Sequence, residues 1–131
     1  MTEISNNETT GILPENLGLY DLTDIEILSK NDDALFGKVL NILISMFSDE
    51  IENIRTLAND DKWQEVSEIV HKLKTSLTHI RVVSLKQTVT DLEDYEKFGS
   101  EKLNTLAKEF CAALENMLIY LKIDLENFNK R

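Results

Sequence analysis

Cysteine occurs once in the 131 residues, at Cys111, proline once, at Pro14, and tryptophan once, at Trp63. A single thiol excludes a disulfide framework and any metal site built on several cysteines. With its only proline near the start and only four glycines, the chain has few breakers after Pro14, and its abundant Leu, Ile, Lys, Glu and Asn favour helices over a sheet. Positive charge is also scarce: 14 Lys and Arg against 24 Asp and Glu leave a formal net charge of -10. That balance opposes non-specific binding to nucleic acid and docking on anionic lipid. Long apolar runs are missing as well. The most apolar stretch, Val39 to Phe47, is interrupted by Asn41 and Ser45 and falls far short of the ~20 residues of a membrane span. Met1-Thr-Glu-Ile-Ser-Asn-Asn-Glu has neither the basic start nor the apolar centre of a signal peptide. These absences predict one soluble, cytoplasmic, acidic helical domain, and the start at Met1 fits a free-standing protein.

What is present is helical periodicity. Residues 1–16 are polar and aperiodic, which predicts a flexible tail before a bundle domain over 17–131. Asp24-Ile25-Glu26-Ile27-Leu28 reads as a short helix capped by Thr23 or Asp21. After the cap signal Asn31-Asp32-Asp33, a long helix is expected from about Asp33 to Ala58. Its broad apolar face runs from Leu35 and Phe36 through Ile42 and Phe47 to Leu57, and Gly37 lies inside it. Asn59-Asp60 marks a turn, with Asp60 or Asp61 capping a third helix that ends near His79. Ser84-Leu85-Lys86-Gln87 fits a capping box for a fourth helix with core positions Leu85, Val89, Leu92 and Tyr95. Gly99 is placed to end that helix in the left-handed conformation, and Ser100 to cap a fifth, which buries positions from Leu106 to Phe128. The predicted fold is all-α: an antiparallel four-helix up-and-down bundle with a short extra N-terminal helix.

The third helix organises the rest. Trp63, Val66, Ile69, Val70, Leu73 and Leu77 form its apolar stripe and leave His71 at the wet edge. Lys74, Thr75 and Thr78 follow the histidine at i+3, i+4 and i+7, so they share its face. Between Glu68 and Asp91 there is no acidic residue, whereas Lys72, Lys74, Arg81 and Lys86 all lie there. In so acidic a chain this reads as a local basic patch around His71, suited to an acidic partner site or to a phosphoryl group, or else as ordinary surface lysine.

His71-Lys72-Leu73-Lys74-Thr75-Ser76-Leu77, preceded by Asp61-Lys62-Trp63 and followed by Leu92-Glu93, resembles the histidine-containing phosphotransfer (HPt) domain. The family pattern runs Asp-Trp, then His-x-Leu-Lys-Gly-Ser, then Leu-Glu near the end of the next helix, and the likeness extends from about Leu19 to Asn127. It implies a helical bundle that takes a phosphoryl group on histidine from one receiver-domain aspartate and passes it to another. Such a carrier has no kinase or ATP-binding activity. The implied partners are response-regulator receiver domains and a hybrid sensor histidine kinase. No cofactor of its own is expected; the Mg²⁺ belongs to the receiver. Carried over, His71 is the phosphoacceptor through Nε2, Lys74 steadies the phosphoryl oxygens, and Glu93 orients the ring through its other nitrogen. Glu93 also reads as a plain exposed helix charge. The docking surface would comprise Lys72, Thr75, Thr78, Arg81 and Phe47, and the domain would be a monomer. Two family glycines are replaced, by Thr75 and by Arg81, at places where a partner approaches closely.

Those two departures give weight to a different reading, a non-catalytic helical module that binds a receiver or another signalling partner without chemistry. His79 reads as a surface or capping residue, since eight positions from His71 is too far for two ligands on one helix to converge, and no metal site is expected. Cys111 reads as a small buried hydrophobe and Ser76 as an unactivated hydroxyl.

Overall fold

The computed structural model describes residues 18–30 and 32–129. The expected tail at 1–16 and the cap signal at Asn31 lie outside them. The described residues form five α-helices: α1 (Thr23–Ser29), α2 (Asp33–Asn59), α3 (Trp63–His79), α4 (Lys86–Glu93) and α5 (Ser100–Asn129). A 3₁₀ turn at Tyr95–Lys97 follows α4.

In α2, Phe36, Leu40, Leu43, Phe47, Ile51, Ile54 and Ala58 recur at steps of three and four and are buried. The helix starts where the Asp32 carboxylate accepts from the Leu35 amide at 3.1 Å. In α3 the buried set is Trp63, Val66, Val70, Leu73 and Leu77. α5 contributes Leu103, Leu106, Phe110, Leu114, Met117, Leu118 and Leu121. α2 packs along α5 and beside α3, α3 packs on α4, and α4 on α5, so four helices close a ring around one core. Each fully buried Leu or Phe in it contributes about 1.5–3 kcal/mol relative to exposure. The stripe on α2 is narrower than its apolar composition implies, because Leu35 and Ile42 face outward.

The scarcity of glycine shows at the helix ends. Lys30, Asp61 and Arg81, after α1, α2 and α3, adopt positive φ of 48°, 56° and 54°. Each holds the left-handed position that glycine usually takes, at about 1 kcal/mol apiece for a residue with a Cβ. The 6→1 bonds Lys62 N–H to Leu57 C=O (2.9 Å) and Val82 N–H to Leu77 C=O (2.9 Å) close the last turns of α2 and α3.

Several expected caps differ. Asp61 does not cap α3 with its backbone; its carboxylate accepts from the indole Nε1 of Trp63 at 3.0 Å, and the residue before α3 is Lys62, without a side-chain cap. Ser84 and Gln87 form no capping box: α4 starts at Lys86 after Leu85, and the Gln87 amide donates to Asp91 at 2.8 Å. The i+4 carboxylate on the same helix face outcompetes the backward reach to Ser84. Gly99 does not end α4 in the left-handed region, where Gly18 is the one described glycine. The 3₁₀ turn ends that segment, and the Gly99 carbonyl accepts the first bond of α5, from Leu103 N–H at 3.0 Å, so Ser100 is already helical.

α1 is too short to stand alone. Asp21 Oδ1 accepts from the Thr23 amide at 2.8 Å and hydroxyl at 2.6 Å. The Asp21 amide donates to the Ile80 carbonyl at 2.8 Å, and the Tyr20 hydroxyl donates to Asp124 on α5.

Candidate functional site

Burial of Val70, Leu73 and Leu77 turns the intervening His71 outward, with 72 % of its side chain exposed. Glu93, the last residue of α4, meets it from the neighbouring helix. Glu93 Oε2 lies 2.6 Å from His71 Nδ1, and Lys74 Nζ donates to Glu93 Oε1 at 3.2 Å. One carboxylate thus bridges two side chains that stand one turn apart on α3. It sits in the angle between the helices, its side chain only 21 % exposed. Partial burial alone would raise its pKa, but the bonds from His71 and Lys74 outweigh burial and hold the carboxyl below its ordinary range. An ionised carboxylate only accepts, so the neutral ring carries its proton on Nδ1 and leaves the lone pair on Nε2. That arrangement suits a nucleophilic nitrogen facing solvent, with a cation close by.

The basic cluster legible in the sequence is largely compensated. Lys74 is held by Glu93, and Lys72 Nζ lies 2.7 Å from Glu50 Oε2 on α2. Arg81 reaches Asp24 with Nε (3.1 Å) and Nη2 (2.7 Å), and Asp21 with Nη1 (3.3 Å). Each partner carboxylate comes from a different helix or segment, which spacing along α3 could not reveal. Thr75 and Thr78 are exposed on the histidine's face, and the Thr78 hydroxyl donates to the Lys74 carbonyl at 2.9 Å. Phe47 does not belong to a docking surface: it is fully buried in the core, where its position on the α2 stripe puts it. Glu50 was not foreseen. It is buried on that same stripe, between Phe47 and Ile54, and its place among apolar residues at helical spacing was the available signal.

His79 is exposed at the end of α3. Cys111 is buried, its thiol pushed up to about 11 chiefly by that burial. Among the described residues no group of three or more His, Cys, Asp or Glu is placed to hold a metal ion. No described helix is long and apolar enough to cross a membrane.

Comparison with known protein families matches residues 38–124 to the Hpt domain. The chain belongs to the Hpt domain family. The match spans well over half of the chain and includes α3, α4, His71, Lys74 and Glu93, while α1 falls before it. No curated protein and no solved structure matches the chain. Hpt domains are phosphotransfer modules of two-component phosphorelays and carry phosphoryl groups without kinase activity of their own.

Proposed function

We propose that this Hpt protein is a phosphorelay intermediate in which His71 accepts a phosphoryl group from one receiver-domain aspartate and passes it to another. The observation that carries the reading is the 2.6 Å contact between His71 Nδ1 and Glu93, made by a side chain that is otherwise mostly exposed. The neutral imidazole attacks the phosphorus of an aspartyl phosphate through Nε2. The P–N bond forms as the P–O bond breaks, and the receiver's carboxylate leaves. The ring then carries a positive charge, with its Nδ1 proton held against Glu93. When a second receiver's aspartate attacks, the P–N bond breaks and neutral imidazole departs, its proton still on Nδ1. No proton moves in either direction. Lys74, one turn away, serves the phosphoryl oxygens.

Mg²⁺ and the acidic cluster belong to the receiver, so this chain contributes positioning. Lys72, Thr75, Thr78 and Arg81 line the docking side. The domain works as a cytoplasmic monomer, its donor a hybrid sensor histidine kinase, and four of its helices run up and down in antiparallel order. The compensation of Lys72 and Arg81 within the chain favours a second reading, a module that docks receivers without chemistry, since little free positive charge is left to draw an acidic site. Radiolabel transfer from a phospho-receiver separates the two: a carrier takes acid-labile, base-stable label at His71, and a docking module binds without labelling.

A further inference from the structure

The family motif has a glycine where this chain has Arg81, and Arg81 keeps the left-handed backbone, φ 54°, that glycine would adopt without strain. Its side chain crosses to the N-terminal segment, bonding Asp24 through two nitrogens and Asp21 through a third. Asp24, Ile27 and Leu28 stand at i, i+3 and i+4 on α1, so they share a face. Ile27 and Leu28 are 64 % and 68 % exposed, although α1 buries only Ile25 and Ser29. A two-turn helix with so small a buried face depends on its polar ties for its position.

Those ties connect α1 to the end of the helix that carries the histidine. From His71 the exposed face of α3 runs through Thr75 and Thr78 to the helix end at His79, with Arg81 two residues beyond. The eight residues of helix from His71 to His79 correspond to about 12 Å. A partner covering roughly 600–800 Å² on each side reaches about 14–16 Å from the centre of its footprint. A receiver centred on His71 therefore ends close to Arg81 and the helix it holds.

We propose that Arg81 is a positioning residue for receiver docking, fixing α1 through Asp24 and Asp21 so that Ile27 and Leu28 form the apolar edge of the face around His71. The occupant is the receiver domain, so this inference rests on the phosphotransfer reading. The contacts are half exposed and weaken as salt rises, which makes docking at this edge sensitive to ionic strength.

The test uses the full chain and purified receiver domains phosphorylated with radiolabelled acetyl phosphate and Mg²⁺. Single-turnover transfer is followed against receiver concentration for wild type, Arg81→Gly, Asp24→Asn, the pair Ile27→Ser and Leu28→Ser, and that pair in the Arg81→Gly background. The half-saturating concentration should rise about five- to tenfold in Arg81→Gly and in the paired variant, with maximal rates within about twofold of wild type. The combined variant should rise no further, because the edge is already displaced. Glycine suits the backbone at 81, and Asp24→Asn weakens the same contact from the other side, so both should shift in the same direction. An unchanged half-saturation in Arg81→Gly overturns the inference, as does a combined variant whose effects multiply. A wild type that takes label from no receiver removes the phosphotransfer reading itself, and this inference with it.

Discussion

Lys72, the residue after the candidate phosphoacceptor, lies with its ammonium 2.7 Å from the buried carboxylate of Glu50 on α2. The ammonium is the group that offsets the burial of Oε2. Oε1 accepts from the Asn53 amide at 2.7 Å. Burial raises the Glu50 pKa, but Lys72 and Asn53 together bring it below its ordinary value. The contact joins α2 to α3 at the residue that follows His71.

Lys72→Ala should therefore destabilise the fold by about 1–2 kcal/mol at neutral pH. This is less than for a fully buried pair, because Lys72 itself is mostly exposed. In the wild type a depressed Glu50 stabilises above its unfolded value, and that contribution is lost as pH falls through the folded value. Without Lys72, burial dominates and folding favours the protonated acid, so the gap between variant and wild type should narrow as pH falls. Urea denaturation at neutral pH and near pH 4 measures both.

Glu93→Ala removes the only acceptor that the described contacts give His71 Nδ1 and frees Lys74 from its partner. The ring can then take either tautomer and orientation, and transfer to His71 should slow about tenfold or more. Glu93→Gln keeps a carbonyl acceptor and should lose less. Single-turnover rates with both variants check the order; equal losses would assign the effect to charge alone.

Arg81→Gly and Arg81→Ala should separate backbone from side chain. Both lose the same half-exposed ion pairs, which solvent screening keeps weak. Only glycine relieves the left-handed strain at φ 54°. Thermal melting should leave Arg81→Gly within about 1 kcal/mol of wild type and Arg81→Ala below it.

Gly37→Ala would ordinarily stabilise a helix interior by about 1 kcal/mol. Here the added Cβ would meet Phe128 Cε2 of α5 at 3.2 Å, beside the ring contact of Phe128 with Phe36. The gain should be largely cancelled, and melting should show a change under about 0.5 kcal/mol.

The helices were legible because their buried residues recur at steps of three and four, and α3 runs to His79 as its stripe implies. His71, Lys74 and Glu93 were legible from a short motif, although 22 residues separate the histidine from the carboxylate it meets. Three things were not. Caps depend on competing local bonds, as Gln87 shows by choosing Asp91 over Ser84. Pairing across helices is invisible to spacing along one helix, so Lys72 and Arg81 read as free charge. Exposure of Leu35 and Ile42 depends on which of several apolar positions on α2 face inward, and composition alone leaves that set too wide.

The most direct measurement is phosphoryl transfer from a radiolabelled phospho-receiver with Mg²⁺, comparing wild type with His71→Gln. The wild type should take label that survives base and is lost in acid. His71→Gln should take none while keeping the same helicity and, since the side chain is exposed, a melting temperature within a few degrees. Acid-labile label on His71→Gln would contradict the assignment of this histidine as the phosphoryl carrier.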